Sequence, residues 1–200
     1  GANVEKGAQA YVLRSVPGTP NPPDPANRKM LTCKGTDCST SGTGTLANFN
    51  DGYAKLKQED FDSSTGGTNY KTLIEWARGA DSKGDERRNT DNTPFKSKTV
   101  MRPSVHGDVI HSRPVAINYG SDASPQVVVF YGGNDGALRA VAGNRSAAAS
   151  TGQPAGSELW SFMPPEFYGK IKRTYDNSVQ ISYPDLVTTD NAPTPVPKYY

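Results

Sequence analysis

The sequence is poor in cysteine, methionine, histidine and tryptophan, with two, three, two and two of these residues among 200. Its longest apolar run, Val127–Tyr131, has five residues, whereas a membrane-spanning helix needs about 20. The charges nearly cancel, with 22 Lys and Arg against 20 Asp and Glu. A balance of this kind gives no field that would collect nucleic acid or an acidic membrane. We therefore expect neither a membrane span nor a nucleic-acid partner.

The two cysteines, Cys33 and Cys38, are separated by four residues that include a glycine. A zinc site needs four ligands, and the other candidates, His106 and His111, are distant in sequence. A short-range disulfide closing a turn needs nothing else, and it would indicate an oxidising, exported compartment. Two free thiols are the remaining alternative. We favour the disulfide.

Residues 1–98 carry few regular patterns, and we predict an irregular segment with short helices. Five of the nine residues in Pro17–Pro25 are proline, which indicates an extended loop. Helices are predicted at Gly52–Glu59 and at Tyr70–Arg78, the second capped by Asn69 or Thr68 and ended by Gly79. The charged stretch 81–92 is predicted to be a solvated loop. The first residues, 1–6, contain no apolar segment of the signal-peptide type, so we expect the chain to be part of a longer polypeptide.

From residue 99 onward the pattern becomes that of β-strands. A β-branched run is predicted as a strand buried on both faces, and an Asn134-Asp135-Gly136 turn follows it, a strong hairpin signal. The four predicted strands are Val109–Ile117 (interrupted by Pro114), Gln126–Tyr131, Ala137–Val141 and Glu158–Phe162. Four consecutive antiparallel strands have the size and order of one β-propeller blade. The fold class is therefore predicted as mainly β, with residues 99–200 forming a first blade and the start of the next element.

Four stretches together resemble PilY-type proteins, the assembly and tip-adhesin family of type IV pili. The most specific is Gly107-Asp108-Val109-Ile110-His111-Ser112, followed by Pro114. The others are Leu73–Gly79, Val128–Ala140 and the Trp160 strand Glu158–Pro164. Val4–Arg14 and Leu31–Cys33 are similar to the segment preceding that family's propeller.

The resemblance implies an exported protein at the pilus tip or cell surface that reaches it through the periplasm. Members of the family act with minor pilins, promote pilus extension and twitching motility, and attach cells to a host or surface receptor. The fold implied is a quinoprotein-like β-propeller, completed by the remainder of the polypeptide. Some members bind calcium through an Asp/Asn-rich loop. No such string is present here, so we expect no cofactor within this segment, and calcium only elsewhere in the full-length protein.

The resemblance implies a binding and structural role, and we expect no enzymatic activity. Asp108 and His111 are predicted to fix the entry of the first strand by hydrogen bonds, because alternating strand side chains diverge and do not form a catalytic triad. Trp160 is predicted to be a packing anchor between blades. The residues predicted to shape the blade are Gly107, Asp108, His111, Ser112, Pro114, Asn134, Asp135, Gly136 and Trp160.

Two other interpretations remain open. Exported quinoprotein dehydrogenases, which depend on pyrroloquinoline quinone, use similar hairpins, although their cysteine pair is adjacent and their cofactor ligands cannot be named here. The acidic residues Asp81, Asp85, Glu86 and Asp91 could hold a calcium ion through oxygen ligands. We favour a charged surface loop for that stretch.

Overall fold

A computed structural model describes residues 8–14, 24–84, 86, 88–144 and 154–177, together with the backbone of 180–181 and 194–195. Its helices are α1 (Ala8–Arg14), α2 (Gln58–Phe61), α3 (Tyr70–Arg78) and α4 (Tyr168–Asp176). Its strands are β1 (Met30–Thr32), β2 (Ala47–Asn48), β3 (Ala80–Asp81), β4 (Ser97–Met101), β5 (Val115–Asn118), β6 (Val127–Gly132), β7 (Leu138–Ala142), β8 (Glu158–Phe162), β9 (Gln180–Ile181) and β10 (Thr194–Pro195). Single 3-10 turns lie at Pro25–Asn27, Gly35–Cys38 and Pro165–Phe167.

Six of these strands form one sheet in the order β2-β1-β8-β7-β6-β5. Strands β5 to β8 follow one another as an antiparallel meander, as the sequence predicts. Strand β1 adds to β8 in the parallel direction, pairing Met30 with Ser161. The fold is mixed, with a six-stranded sheet, short two-stranded pairs and short helices, which agrees with the expected β-rich class at that coarse level.

The first strand of the meander is shorter than predicted. It begins at Val115, and residues 109–114 run outside the sheet. Pro114 explains the start of the strand, because proline lacks an N–H for pairing and restricts the residue before it. The prediction of a strand over Val109–Ile117 was therefore wrong for its first half.

Helix α3 matches the prediction closely. The Asn69 Oδ1 atom accepts a hydrogen bond from the Lys71 backbone N–H at 2.9 Å, and Gly79 ends the helix in the left-handed conformation, at φ 115°. The helix predicted at Gly52–Glu59 was wrong in its bounds, because α2 begins only at Gln58. Asn50 explains the difference, since its side chain accepts from the Gly52 N–H at 3.1 Å. A local bond of this type favours a turn over a helix.

The stretch 81–92, predicted to be a solvated loop, begins in the interior. Strand β3 pairs with β4, and Asp81 is 1% exposed. Residues 89–92 are exposed, as the sequence predicts. The loop prediction was thus wrong at its first residues, where pairing with β4 draws the chain inward.

One side of the sheet is covered by helices α2, α3 and α4. The rings of Phe49, Phe61 and Tyr168 pack against one another in a triangle, with the Tyr168 centroid 5.6 Å from Phe49 and 5.1 Å from Phe61. The buried cluster comprises Met30, Phe49, Leu56, Phe61, Leu73, Ile74, Ala137, Met163, Tyr168 and Ile171. None of the helices in the described ranges is long and apolar enough to cross a membrane.

The opposite side of the sheet carries an apolar row that is only partly covered within the described residues. The strand registers place Val115, Phe130, Ala140 and Trp160 side by side on this face. Val115 is 53% exposed and Ile117, two residues along the same strand, is 40% exposed. Strand β6 is half-buried along its whole length, so within the described part of the chain the prediction of burial on both faces was wrong. We call this side of the sheet the apolar face.

Candidate functional site: the turn end of the sheet

The turn between β6 and β7 has the geometry that its sequence predicts. Gly136 adopts a positive φ of 83°, which glycine reaches without steric cost. The Gly133 N–H donates to the Ala137 carbonyl at 3.0 Å, and the Gly136 N–H donates to the Gly133 carbonyl at 2.9 Å. The Asn-Asp-Gly hairpin is therefore confirmed.

The segment Gly107–Ser112 lies against this turn and is fixed to it by three hydrogen bonds. The Asn134 N–H donates to the Asp108 carbonyl at 2.8 Å, and the Gly107 N–H donates to the Asp135 carboxylate at 3.2 Å. The Ser112 hydroxyl accepts from the Gly132 N–H at 2.9 Å. The two stretches that carry the resemblance thus meet at one end of the sheet, through contacts between residues 20 to 28 positions apart in sequence.

Close approach explains why a glycine stands at position 107. A Cβ atom there would lie 2.5 Å from the Asp135 backbone nitrogen, a distance that no side chain tolerates without a backbone shift. The absence of a side chain therefore lets the segment sit directly on the turn.

The side chains of the other predicted residues do not all lie at the turn. The Asp108 side chain is exposed, and its backbone carbonyl rather than its carboxylate holds the turn. His111 is exposed at the rim of a cleft, and Pro114 immediately precedes β5. Trp160 is half-buried on the apolar face, with its ring centroid 5.9 Å from that of Phe130. Its role between blades stays a prediction.

Beneath the turn lies a chain of buried ion pairs that the sequence reasoning missed. The Arg139 guanidinium binds both oxygens of the Asp135 carboxylate, one of them at 2.9 Å. Its Nε atom lies 3.3 Å from the Glu158 carboxylate. Arg28 donates to both oxygens of Glu158, at 3.0 Å and 2.8 Å. The side chains of Arg28, Arg139 and Glu158 are 5%, 1% and 4% exposed. We call Arg28, Asp135, Arg139 and Glu158 the ion-pair cluster.

The electrostatics of the cluster keep both carboxylates ionised. Burial alone would raise the pKa of Asp135, but the adjacent Arg139 outweighs it and holds that pKa well below its usual range. Burial acts in the same way on Glu158, where Arg28 and Arg139 lower the pKa instead. Each charge therefore faces an opposite charge, an arrangement that fixes the turn, β7, β8 and the Arg28 segment together.

His106 and Tyr131 adjoin this cluster. The His106 Nε2 atom and the Tyr131 hydroxyl are 2.9 Å apart. Burial, assisted by the charge of Arg139, lowers the pKa of His106 to about 4. Burial also raises the pKa of Tyr131 to about 12. Both side chains are thus neutral near pH 7.

The two cysteines form a disulfide, with Cα atoms 5.1 Å apart. The predicted Cys33–Cys38 pairing is confirmed, and the zinc and free-thiol alternatives were wrong. The bond links the end of β1 to the 3-10 turn Gly35–Cys38.

Within the described ranges, no group of three or more His, Cys, Asp and Glu side chains is placed to hold a metal ion. Of the four acidic residues considered for calcium, Asp81 is buried in β3 and Glu86 accepts a bond from the Ser104 N–H at 2.8 Å. Asp91 caps its own exposed turn through Thr93. Asp85 lies outside the described residues.

A cleft of about 230 Å³ opens beside the turn. It lies between the Gly107–Ser112 segment, the turn and the chain that follows β8. Its lining consists of His111, Ser112, Gly132, Gly133, Asn134, Gly136, Ala137, Leu138, Pro164 and Phe167. We call it the turn cleft.

Comparison of the chain with protein-family models, with curated protein sequences and with solved structures finds no match in any of the three. The similarity to PilY-type proteins therefore rests on the residues of this chain alone.

Proposed function

We propose that this chain is part of a protein of the type IV pilus tip that promotes pilus assembly and extension, surface adhesion and twitching motility. The role is one of binding and structure rather than catalysis. The observation that carries the proposal is the contact of Gly107–Ser112 with the Gly132–Gly136 turn. Gly107–Ser112 belongs to the most specific stretch of the PilY resemblance, and the turn belongs to a second stretch that occurs more widely in quinoprotein-like propellers. If both belong to one family motif with one structural purpose, they should lie in contact.

The same proposal assigns the sheet to a β-propeller, as one blade with an addition. The meander of β5 to β8 has the strand number and order of a blade. The apolar face supports this assignment, because an exposed row that includes Val115 and Ile117 is a surface that a soluble protein normally covers. A neighbouring blade from the remainder of the polypeptide would cover it.

The disulfide supports the proposed location. Disulfides persist in oxidising compartments such as the bacterial periplasm and the cell surface, and they are rare in the cytosol. The proposed path runs through the periplasm to the pilus tip. There the protein would contact minor pilins on one side and a host or surface receptor on the other.

The test is to shear surface appendages from the source cells and probe them for this polypeptide. The experiment compares wild type with a strain that cannot assemble pili. Recovery in the sheared fraction, lost when assembly is blocked, supports the proposal. A soluble periplasmic protein that is indifferent to pili contradicts it, and quinone-dependent dye reduction would then test the dehydrogenase alternative.

A pair of variants extends the test to the apolar face. Ile117→Asp places a charge on that face and should lower the amount of protein recovered with the pili. Thr90→Asp introduces the same charge in an exposed turn and serves as the control. Equal recovery of both variants would show that the face is not covered in the assembled protein.

A further inference from the structure

The turn cleft has a size that suits one small ring. Its volume of about 230 Å³ lies below the roughly 300–1,000 Å³ of pockets that hold drug-sized ligands. No acidic side chain, lysine or arginine is among its lining residues. A neutral ligand of about one ring is therefore the class that fits.

Two polar groups at the cleft have hydrogen-bonding capacity that the described protein does not use. The Asn134 backbone is bound to Asp108, but its side-chain amide contacts no hydrogen-bond partner among the described residues. The Ser112 hydroxyl accepts from Gly132, and its own proton has no acceptor in that part of the chain. Both residues are half-buried. An amide and a hydroxyl in this state can donate to and accept from the hydroxyl groups of a ligand.

A second part of the cleft wall is apolar. Leu138 is 39% exposed, and Pro164 and Phe167 lie beside it in the lining. Gly136 leaves room for this wall, because a Cβ there would lie 3.0 Å from the Phe167 Cβ atom. An aromatic face carries negative charge density and attracts the C–H groups of a ring placed against it.

From these two walls we infer that the turn cleft binds a single neutral sugar ring. The C–H face of the pyranose lies against Phe167 and Leu138, and its hydroxyls bind Asn134 and Ser112. A polyhydroxylated ring uses both walls at once, whereas a purely apolar side chain of a peptide leaves the Asn134 amide unused. The inference stands on the cleft and does not require the pilus proposal.

The experiment is saturation-transfer NMR with the full chain and a panel of methyl glycosides of glucose, galactose, mannose and N-acetylglucosamine. At least one should receive saturation through its ring C–H protons. Asn134→Ala should weaken its binding about tenfold, the effect of one lost hydrogen bond. Asn48→Ala removes the same side chain from the exposed edge strand β2 and should change nothing.

Ser112→Ala is a second, independent variant and should also weaken glycoside binding. Circular dichroism of each variant checks that it is folded. Saturation transfer to none of the four glycosides overturns the inference. So does equal binding by the wild type, Asn134→Ala and Ser112→Ala. Competition of a bound glycoside by a proline-rich peptide with higher affinity would also overturn it and assign the cleft to a polypeptide. The result of the shearing experiment has no effect on any of these binding measurements, so the two proposals can fail separately.

Discussion

Neutralising Glu158 should strongly destabilise the protein, because its buried carboxylate lies beside two guanidinium groups. In the ion-pair cluster, two cations (Arg28 and Arg139) face two anions (Asp135 and Glu158). Glu158→Gln leaves two positive charges against one negative charge. Arg28 then loses a carboxylate that it binds at 3.0 Å and 2.8 Å, while its side chain stays 5% exposed.

The magnitude follows from this burial. Removing one partner of a buried ion pair costs about 3–5 kcal/mol, because the remaining charge keeps its desolvation penalty without its partner. A whole domain is stable by only about 5–15 kcal/mol. We therefore expect Glu158→Gln to lower the free energy of unfolding of the full chain by about 3–5 kcal/mol.

The assay is urea denaturation at pH 7, with the free energy of unfolding extrapolated to water. Glu166→Gln is the matched control, because Glu166 is exposed and the same substitution there should change stability by less than about 0.5 kcal/mol. A loss below about 1 kcal/mol for Glu158→Gln would refute the reasoning. It would mean that water reaches Arg28 and Arg139 or that their charges find other partners.

Three further predictions concern other parts of the structure. The pKa of His106 is lowered from 6.5 to about 4 in the folded protein. Between these two pH values the unfolded chain therefore binds more protons than the folded protein. The free energy of unfolding should fall as the pH drops from about 6.5 toward 4. His106→Gln should remove this slope in denaturation curves measured across that window, whereas His111→Gln should keep it. Gly136→Ala should lower the melting temperature through a cost of about 1–2 kcal/mol, because its φ is 83°; Gly169→Ala, inside α4, should raise it. Arg78→Lys should lower the free energy of unfolding, measured by urea denaturation, by at least about 2 kcal/mol. One ammonium cannot replace the guanidinium hydrogen bonds to four backbone carbonyls. An unchanged midpoint would show that these carbonyls bind water instead.

The parts of the fold that were predicted correctly are those with local causes. The β-branched run of β6 is followed at once by Asn134-Asp135-Gly136, and both features act within a few residues. Helix α3 has a cap at Asn69 and a stop at Gly79, which again lie next to the segment that they define. Such signals can be recognised before any tertiary contact is known.

The parts that were missed depend on contacts between distant segments. Strand β1 pairs with β8 across some 130 residues, as Met30 with Ser161. The three residues of β1 carry no signal that names this partner. The division predicted between residues 98 and 99 stays a prediction. The six-stranded sheet includes strands from both sides of that boundary.

The hairpin of the candidate site was predicted, whereas its contact with Gly107–Ser112 and its buried charges were missed. The turn contains Asn134 and Gly136, and the close approach of the two segments requires a glycine at position 107. Arg139 was not recognised, because a charged residue is expected at the surface unless its partner is known. Alternation gave no signal either, because both faces of β7 carry apolar residues: Ala140 and Ala142 are buried as well as Ala137 and Val141.

The ion-pair cluster joins three segments that the sequence presents as separate. Arg28 precedes β1, Asp135 and Arg139 belong to the turn and β7, and Glu158 begins β8. Because the side chains of Arg28, Arg139 and Glu158 are 5%, 1% and 4% exposed, each of these charges depends on its protein partners rather than on water. The geometry of the turn, and with it the turn cleft and the contact with Gly107–Ser112, therefore depends on the segment before β1. It follows that the residues preceding the predicted blade are part of the structure that forms the site, and that removing them would take from Glu158 the two hydrogen bonds that Arg28 donates.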